Sequence, residues 1–424
     1  ITTCTCTVGA PPVDPAAKTI GSMSSLQRTM LKGKLPPTIP GGRIGRADSF
    51  KKSRIRDYKP GMWNEFFAEK EDVTVDEHRT FRIYRTKQPE KPGPVLLLLH
   101  GGGYSALTWA HFCSEVTSMI HCQCLCIDMR GHGDSKVDDE DDLSADTLAK
   151  DIGDLILKLY PEEVPQLFVV GHSMGGAIAV HFAHMALVPN LIGITVIDVV
   201  EGTAMEALAS MQSFLRSRPK YFQSIPNAIE WCIRSGQVRN VDSAKVSMPG
   251  QIINCTTNKL ATNDLPLPDD VLEEAHHNSM FPNPFSISED EESSPPGDDA
   301  ADGAAGADFK KPNTTKSTTE AAKNYTWRID LSKSEKYWVG WFSGLSDKFL
   351  NLRLPKQLLL ASIDLDRTLT VGQMQGRFQM QVLARCGHAV HEDRPHEVAE
   401  ISGYLIRNRF AEAASEFRCH MPSC

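Results

Sequence analysis

The sequence predicts an α/β domain, a mostly parallel central sheet with helices on both faces. Three observations predict it. Short continuous apolar runs such as Val95-Leu96-Leu97-Leu98-Leu99 have the texture of strands buried on both faces. Stretches of helical period separate these runs. One run, Leu167-Phe168-Val169-Val170, ends in the glycine-flanked turn Gly171-His172-Ser173-Met174-Gly175 and passes straight into a small-residue helix.

Taken in chain order, residues 1–60 are rich in Pro, Gly and basic residues and are expected to form a flexible arm. Met23 opens Met23-Ser24-Ser25-Leu26, so residues 1–22 are set aside as leader sequence. Lys51-Lys52-Ser53-Arg54-Ile55-Arg56 reads as a solvated basic tail, with a nuclear address as the alternative. A single folded domain is expected over 61–424. Strands are placed at 73–84, 95–99, 124–128, 166–170, 192–198, 356–362 and 378–383, and helices at 144–160, 176–187 and 204–216. Helical period continuing over 203–253, directly after a strand, predicts a helical cap on one edge of the sheet. Residues 256–324 are Pro, Ser, Asp, Glu, Ala and Thr, including Glu289-Asp290-Glu291-Glu292. Such a segment cannot bury enough apolar surface to order itself and is read as a disordered acidic insertion.

Composition excludes several classes. With 424 residues, 41% hydrophobic and 23% charged, the chain can bury a large core, which rules out wholesale disorder or a disulfide miniprotein. No apolar run approaches the roughly 18 residues of a membrane span. The net charge of −8 is local: residues 260–309 hold 13 Asp or Glu and no Lys or Arg, which leaves the remainder at +5. A dedicated nucleic-acid binder should instead concentrate basic residues on one face. Eleven Cys, an odd number with no paired C-x-x-C spacing, fit free thiols in a reducing compartment. Residues 1–10 lack the basic start and apolar stretch of a secretory signal. Cytoplasm or nucleus is the expected location.

The chemistry lies in the turns. Gly171-His172-Ser173-Met174-Gly175 between a strand and a helix forces Ser173 into a strained backbone conformation and requires small flanking residues. The helix amino terminus then aims its dipole and free N–H groups at the site. His100-Gly101-Gly102-Gly103 follows the strand ending at Leu99, and an N–H there, that of Gly102, can join that of Met174 as a two-donor oxyanion hole. A serine hydroxyl needs a base. In this architecture the base comes last in the chain, which points to His388 in Gly387-His388-Ala389, with neighbouring His391 as the rival. His100, His132 and His172 sit inside turn motifs and are assigned structural hydrogen bonds. For the acid, spacing leaves Asp198 and the pair Asp364 and Asp366 equally placed.

Several stretches carry a resemblance: Leu96 through Gly103, Gly171 through His181, Ile197-Asp198-Val199-Val200-Glu201-Gly202-Thr203-Ala204-Met205, Glu335-Lys336-Tyr337-Trp338, Val371 through Gly376 and Cys386 through Asp393. With them the chain resembles the protein phosphatase methylesterases. These are serine hydrolases of the α/β-hydrolase superfamily that remove the methyl ester from the carboxy-terminal leucine of type 2A protein phosphatase catalytic subunits. The similarity runs from about residue 23 to the end and weakens in the acidic insertion. It implies Ser173 as nucleophile, Asp198 as acid and His388 as base, with no metal or organic cofactor. It implies as partner the phosphatase 2A catalytic subunit with its methylated tail, together with that enzyme's regulatory subunits. Met205, Trp338 and Trp341 are the expected pocket for the leucine side chain. A small-molecule esterase or lipase, and a non-catalytic phosphatase-binding protein acting through the acidic insertion, are the competing readings.

Overall fold

The computed structural model describes residues 57–265 and 324–409. The chain enters an antiparallel hairpin, β1 (Glu69–Asp76) and β2 (Arg79–Arg85), where one strand was expected at 73–84. The alternation persists across the hairpin, but the Asp76 carboxylate accepts the His78 N–H at 3.0 Å and turns the chain. Then come β3 (Val95–Leu99), β4 (Gln123–Ile127), the two-residue β5 (Lys136–Val137), β6 (Leu167–His172) and β7 (Leu191–Ile197). Three short strands, β8 (Tyr221–Phe222), β9 (Ile252–Asn254) and β10 (Tyr325–Trp327), form a small antiparallel sheet in the order β8-β10-β9. β11 (Lys356–Leu360) and β12 (Gln379–Val382) complete the main sheet, whose order is β1-β2-β4-β3-β6-β7-β11-β12 with β5 on β2. From β4 to β12 neighbouring strands are parallel.

Helix α1 (Ala110–Met119) lies between β3 and β4, α2 (Ala145–Leu159) between β5 and β6, and α3 (Met174–Met185) between β6 and β7. α4 (Glu201–Ser217), α5 (Ile225–Ser235) and α6 (Val241–Ser247) follow β7. α7 (Glu335–Phe342) and α8 (Leu345–Asn351) precede β11, and α9 (Arg367–Met374) precedes β12. α10 (Val390–Asp393) and α11 (Pro395–Arg409) come last. Successive residues of β3 alternate between two cores. Leu97 and Leu99 pack with Leu148, Ile152 and Ile178 from α2 and α3, while Leu96 and Leu98 pack with Phe112, Val116 and Val398 from α1 and α11. A strand with both faces covered must be apolar throughout, which is why β3 reads as a continuous run.

The region expected as a cap is α4 through β9, and the chain after residue 323 adds α7 and α8 to it. Glu201 at the start of α4 ties the two together by accepting the N–H groups of Gly344 and Ser346, at 2.8 and 3.0 Å, at the amino end of α8. Of the insertion expected at 256–324, residues 256–265 and 324 are described. After Asn254 the chain makes a tight turn that buries Leu260 and Ala261, an apolar anchor in an otherwise polar stretch. Most of the acidic segment, like the amino-terminal arm, lies outside the described residues. Among the described residues no helix is long and apolar enough to cross a membrane.

β3 sits between β4 on one side and β6 on the other, so the loops leaving β3 and β6 part and open a crevice at the carboxy ends of the parallel strands. One buried ion pair braces the loop after β4. Arg130 donates to Asp151 on α2 at 2.6 and 2.9 Å, and both side chains are less than a tenth exposed. Removing Asp151 would strand a buried cation, so Asp151→Ala should lower unfolding free energy by about 3–5 kcal/mol in a urea titration. A loss below about 1 kcal/mol would mean that the pair behaves as a solvated surface bridge.

Candidate active site

The turn after β6 begins with a packing constraint. A Cβ on Gly175 would stand 2.3 Å from the Leu99 carbonyl oxygen, and one on Gly171 would stand 2.3 Å from the Gly175 oxygen. Backbone meets backbone there, so only glycine fits. Between them Ser173 takes φ 53 and ψ −119, a conformation that costs an L-residue roughly 1–3 kcal/mol. The strain is held by hydrogen bonds, since Ser173 N–H donates to Ile197 O at 2.9 Å and Ser173 O accepts from Ala177 at the first turn of α3. Asp198, just past β7, also has a positive φ of 53, and its N–H donates to Leu359 O at 2.8 Å.

These turns bring three side chains into line. His388 Nε2 lies 2.9 Å from Ser173 Oγ, and His388 Nδ1 lies 2.8 Å from Asp198 Oδ2. Asp198 Oδ1 accepts the Ala361 N–H at 2.9 Å, which leaves Oδ2 facing the ring. An imidazole held between a hydroxyl and a carboxylate can take the hydroxyl proton while the carboxylate steadies the cation so formed. The other acids are engaged elsewhere. Asp366 caps α9 through the Leu369 N–H and accepts the Ser346 hydroxyl, and Asp364 accepts from Ser362. His391 is fully buried against Trp109, with Nε2 2.8 Å from Thr108 Oγ1.

The histidines of the turn motifs pin the glycine loop. His132 Nδ1–H donates to Arg130 O and its Nε2 accepts the Gly103 N–H at 2.9 Å. His100 Nδ1–H donates to Gly101 O and its Nε2 accepts the Met129 N–H. Both rings are buried, and desolvation holds them neutral: His132 falls to about 4 and His100 well below its ordinary value. The Gly103 N–H is thus committed to His132, and Gly102, Gly103, Ser173 and Met174 line the same cleft.

That cleft holds about 1240 Å³ of empty space, its open mouth included. Trp338 and Trp341 line it, their Nε1–H groups donating to Ser334 Oγ and Leu143 O. Met205 does not. α4 turns its Ala204, Met211 and Leu215 toward the cleft, and Met205, about 100° further round the helix than Ala204, faces solvent. Sequence reasoning also missed what holds His388 in place. His172 Nε2–H donates to His388 O at 2.8 Å, and Asp393 accepts the Gly387 and Arg239 N–H groups, both at 2.6 Å. The short spacing from Gly387 to Asp393 was the available signal for the second. Among the described residues no group of three or more His, Cys, Asp or Glu could hold a metal ion.

A serine at a strained strand-to-helix turn, with a histidine and an acid from later strand ends, defines the α/β-hydrolase class. The Alpha/beta hydrolase family model matches residues 96–401. Protein phosphatase methylesterase 1 of Mus musculus and that of Homo sapiens are each 47% identical over 414 residues, covering 95% of this chain and all of theirs. The probable protein phosphatase methylesterase 1 of Caenorhabditis elegans is 39% identical, over 91% of this chain and 86% of its own. Among solved structures, E-2-(acetamidomethylene)succinate hydrolase shares the fold with a TM-score of 0.54 at 15% identity, covering 80% of this chain and 99% of that one. The chain belongs to the protein phosphatase methylesterase family of α/β hydrolases and is a carboxylic ester hydrolase.

Four residues after His388, Glu392 is buried with Thr108 and Ser247 hydroxyls on its two oxygens. Burial pushes its pKa up to about 8 from an ordinary 4.5, against the pull of those hydrogen bonds. Between these values the folded chain keeps a proton that the unfolded chain has lost. Its contribution to stability is therefore full below about pH 4.5 and is lost as pH rises through about 8. His391, held down to about 3 by burial and by the charge of His388, contributes the opposite slope at lower pH. Glu392→Gln should flatten the decline in urea midpoint across the upper window; an unchanged slope would show that Glu392 ionises normally in the fold.

Proposed function

We propose that the chain hydrolyses the methyl ester on the carboxy-terminal leucine of a type 2A protein phosphatase catalytic subunit, with Ser173 as nucleophile, His388 as base and Asp198 as the acid that orients it. The observation that carries the reading is the continuous Asp198–His388–Ser173 hydrogen-bond line, with contacts of 2.8 and 2.9 Å at the foot of a mostly apolar cleft. Ser173 Oγ attacks the ester carbonyl as its proton passes to His388 Nε2. The tetrahedral oxyanion is met by the N–H groups of Met174 and Gly102. His388 returns the proton to the departing methoxide, and methanol leaves an acyl-enzyme. Water, deprotonated by the same nitrogen, then attacks the acyl carbon and releases the free carboxylate and Ser173.

Support for the substrate comes from the names of the relatives and from the shape of the cleft. Trp338, Trp341, Phe214 and Leu215 give it walls suited to a leucine side chain. The phosphatase catalytic subunit is the partner this reading requires, with its regulatory subunits as further contacts. Cytoplasm or nucleus is the matching location. Cys113 and Cys126 are free thiols whose sulfurs share a hydrogen bond at 3.5 Å, which suits a reducing compartment.

A phosphatase carboxy-terminal peptide bearing the methyl ester, followed by mass spectrometry, tests the assignment. Wild type should remove 14 mass units, about what a methylene weighs, and Ser173→Ala should leave the ester intact, a loss on the order of 10⁶ in kcat. Asp198→Asn should cut kcat by about 10⁴. Full activity in Ser173→Ala, or a fluorophosphonate that fails to label wild-type Ser173, would refute the mechanism. Hydrolysis of simple acyl esters with no turnover of the peptide would instead favour a small-molecule esterase.

A further inference from the structure

Arg218 follows the last turn of α4 and lines the same cleft as Ser173 and the glycine loop. Its guanidinium carbon lies 3.3 Å from the centroid of the Trp327 ring. Trp327 is itself fixed, its Nε1–H donating to Pro219 O at 2.7 Å and its ring packed edge-on against Phe222 and Trp231. A Cβ on Gly103 would come 3.8 Å from Arg218 Nη1, so the cation stands beside the loop that carries Gly102.

What sets this arginine apart is a buried guanidinium nitrogen with no partner and no counter-charge beside it. Arg79, Arg82, Arg130 and Arg328 each meet a carboxylate within 3 Å. Arg218 makes no ion pair among the described residues, and its Nε is shut off from solvent without a hydrogen-bond partner. The rest of the side chain is partly exposed where it lines the cleft. Asp330 lends it some favourable field, but that carboxylate is occupied in capping Ser332. Desolvation draws the guanidinium pKa down to about 10. A cation with a dry, unsatisfied Nε and no carboxylate beside it is unfavourable unless a counter-charge arrives with a ligand.

We propose that Arg218 is a carboxylate receptor within the cleft, binding either an acidic side chain of the ester substrate or the carboxylate that hydrolysis creates. The proposal rests on the hydrolase reading above. No Lys or second Arg stands among the residues lining the cleft, so a single planar cation faces the ligand, which suits a monoanionic carboxylate better than a phosphate dianion.

The test uses N-acetylated peptide methyl esters ending in leucine, with glutamate or glutamine placed in turn at each of the four preceding positions. Free-acid peptides with neutral side chains, and their amides, serve as competitive inhibitors. Wild type should favour one glutamate ester over its glutamine counterpart, or the free acid over its amide, by about tenfold or more, in KM or Ki rather than in kcat. Arg218→Met should erase that preference with the melting temperature unchanged or raised, because the unpaired cation is gone while the thioether still covers Trp327. An effect confined to the esters identifies a substrate side chain as the ligand, and one confined to the free acid identifies the product. Equal charge preferences in the two proteins overturn the proposal, as does an equal loss on charged and neutral compounds together with a lower melting temperature. Labelling of Ser173 by a neutral fluorophosphonate keeps the two readings apart. Without labelling the hydrolase reading falls; with labelling and no Arg218-dependent charge preference, only the Arg218 assignment does.

Discussion

The close crossing of backbone at Gly171, Gly175 and Leu99 is the constraint on which the rest of the site depends. It forces the chain to reverse within one residue and so holds Ser173 at a positive φ that an isolated peptide would avoid. The cost is offset by the surroundings. β6 is buried on both faces, and every residue of α3 from Met174 to Phe182 is buried. A hydroxyl presented from such a turn cannot retreat into local hydrogen bonds, and the small residues around it leave its far side open to the cleft.

His388 is set against that fixed point from several directions. His172, one residue before the serine, holds the His388 carbonyl, Asp393 holds the preceding N–H, and the His172 ring has its centroid 4.8 Å from that of His388 and 4.5 Å from that of His391. The neutral, buried rings of His172 and His391 therefore act as packing and as directional donors rather than as competitors for the proton. On the other side, His100 and His132 fix the glycine loop by the same device, ring nitrogens bonded to backbone. Five histidines converge on the site, and only one of them bridges a hydroxyl and a carboxylate.

What the sequence disclosed follows from burial. β3, β6, β7 and β11 were legible within a residue or two because strands covered on both faces carry runs of apolar residues, which in β11 is the Leu358-Leu359-Leu360 that follows Lys356 and Gln357. The serine turn was legible because its glycines are sterically required. Asp198 was not separable from Asp364 and Asp366 by spacing, since all three follow strands; what distinguishes them is the tertiary neighbour each one meets. β8 to β10 are too short to leave a period, and α11 has a weak amphipathic pattern. Met205 was misplaced because one step along a helix turns a side chain away from its neighbour's face. Arg218 lies in Arg216-Ser217-Arg218-Pro219-Lys220, which has the composition of a solvated loop, and only the Trp327 ring from beyond residue 323 shows otherwise.

The small sheet has a consequence of its own. β9 and β10 are antiparallel neighbours, with Asn254 opposite Tyr325 and the Cys255 N–H bonded to Asn324 O, so the chain departs and returns through adjacent rungs of one ladder. The Trp327 ring that stacks on the Arg218 guanidinium therefore keeps its place only while β8 and β9 flank β10, so a wall of the cleft is anchored by backbone pairing between segments far apart in sequence.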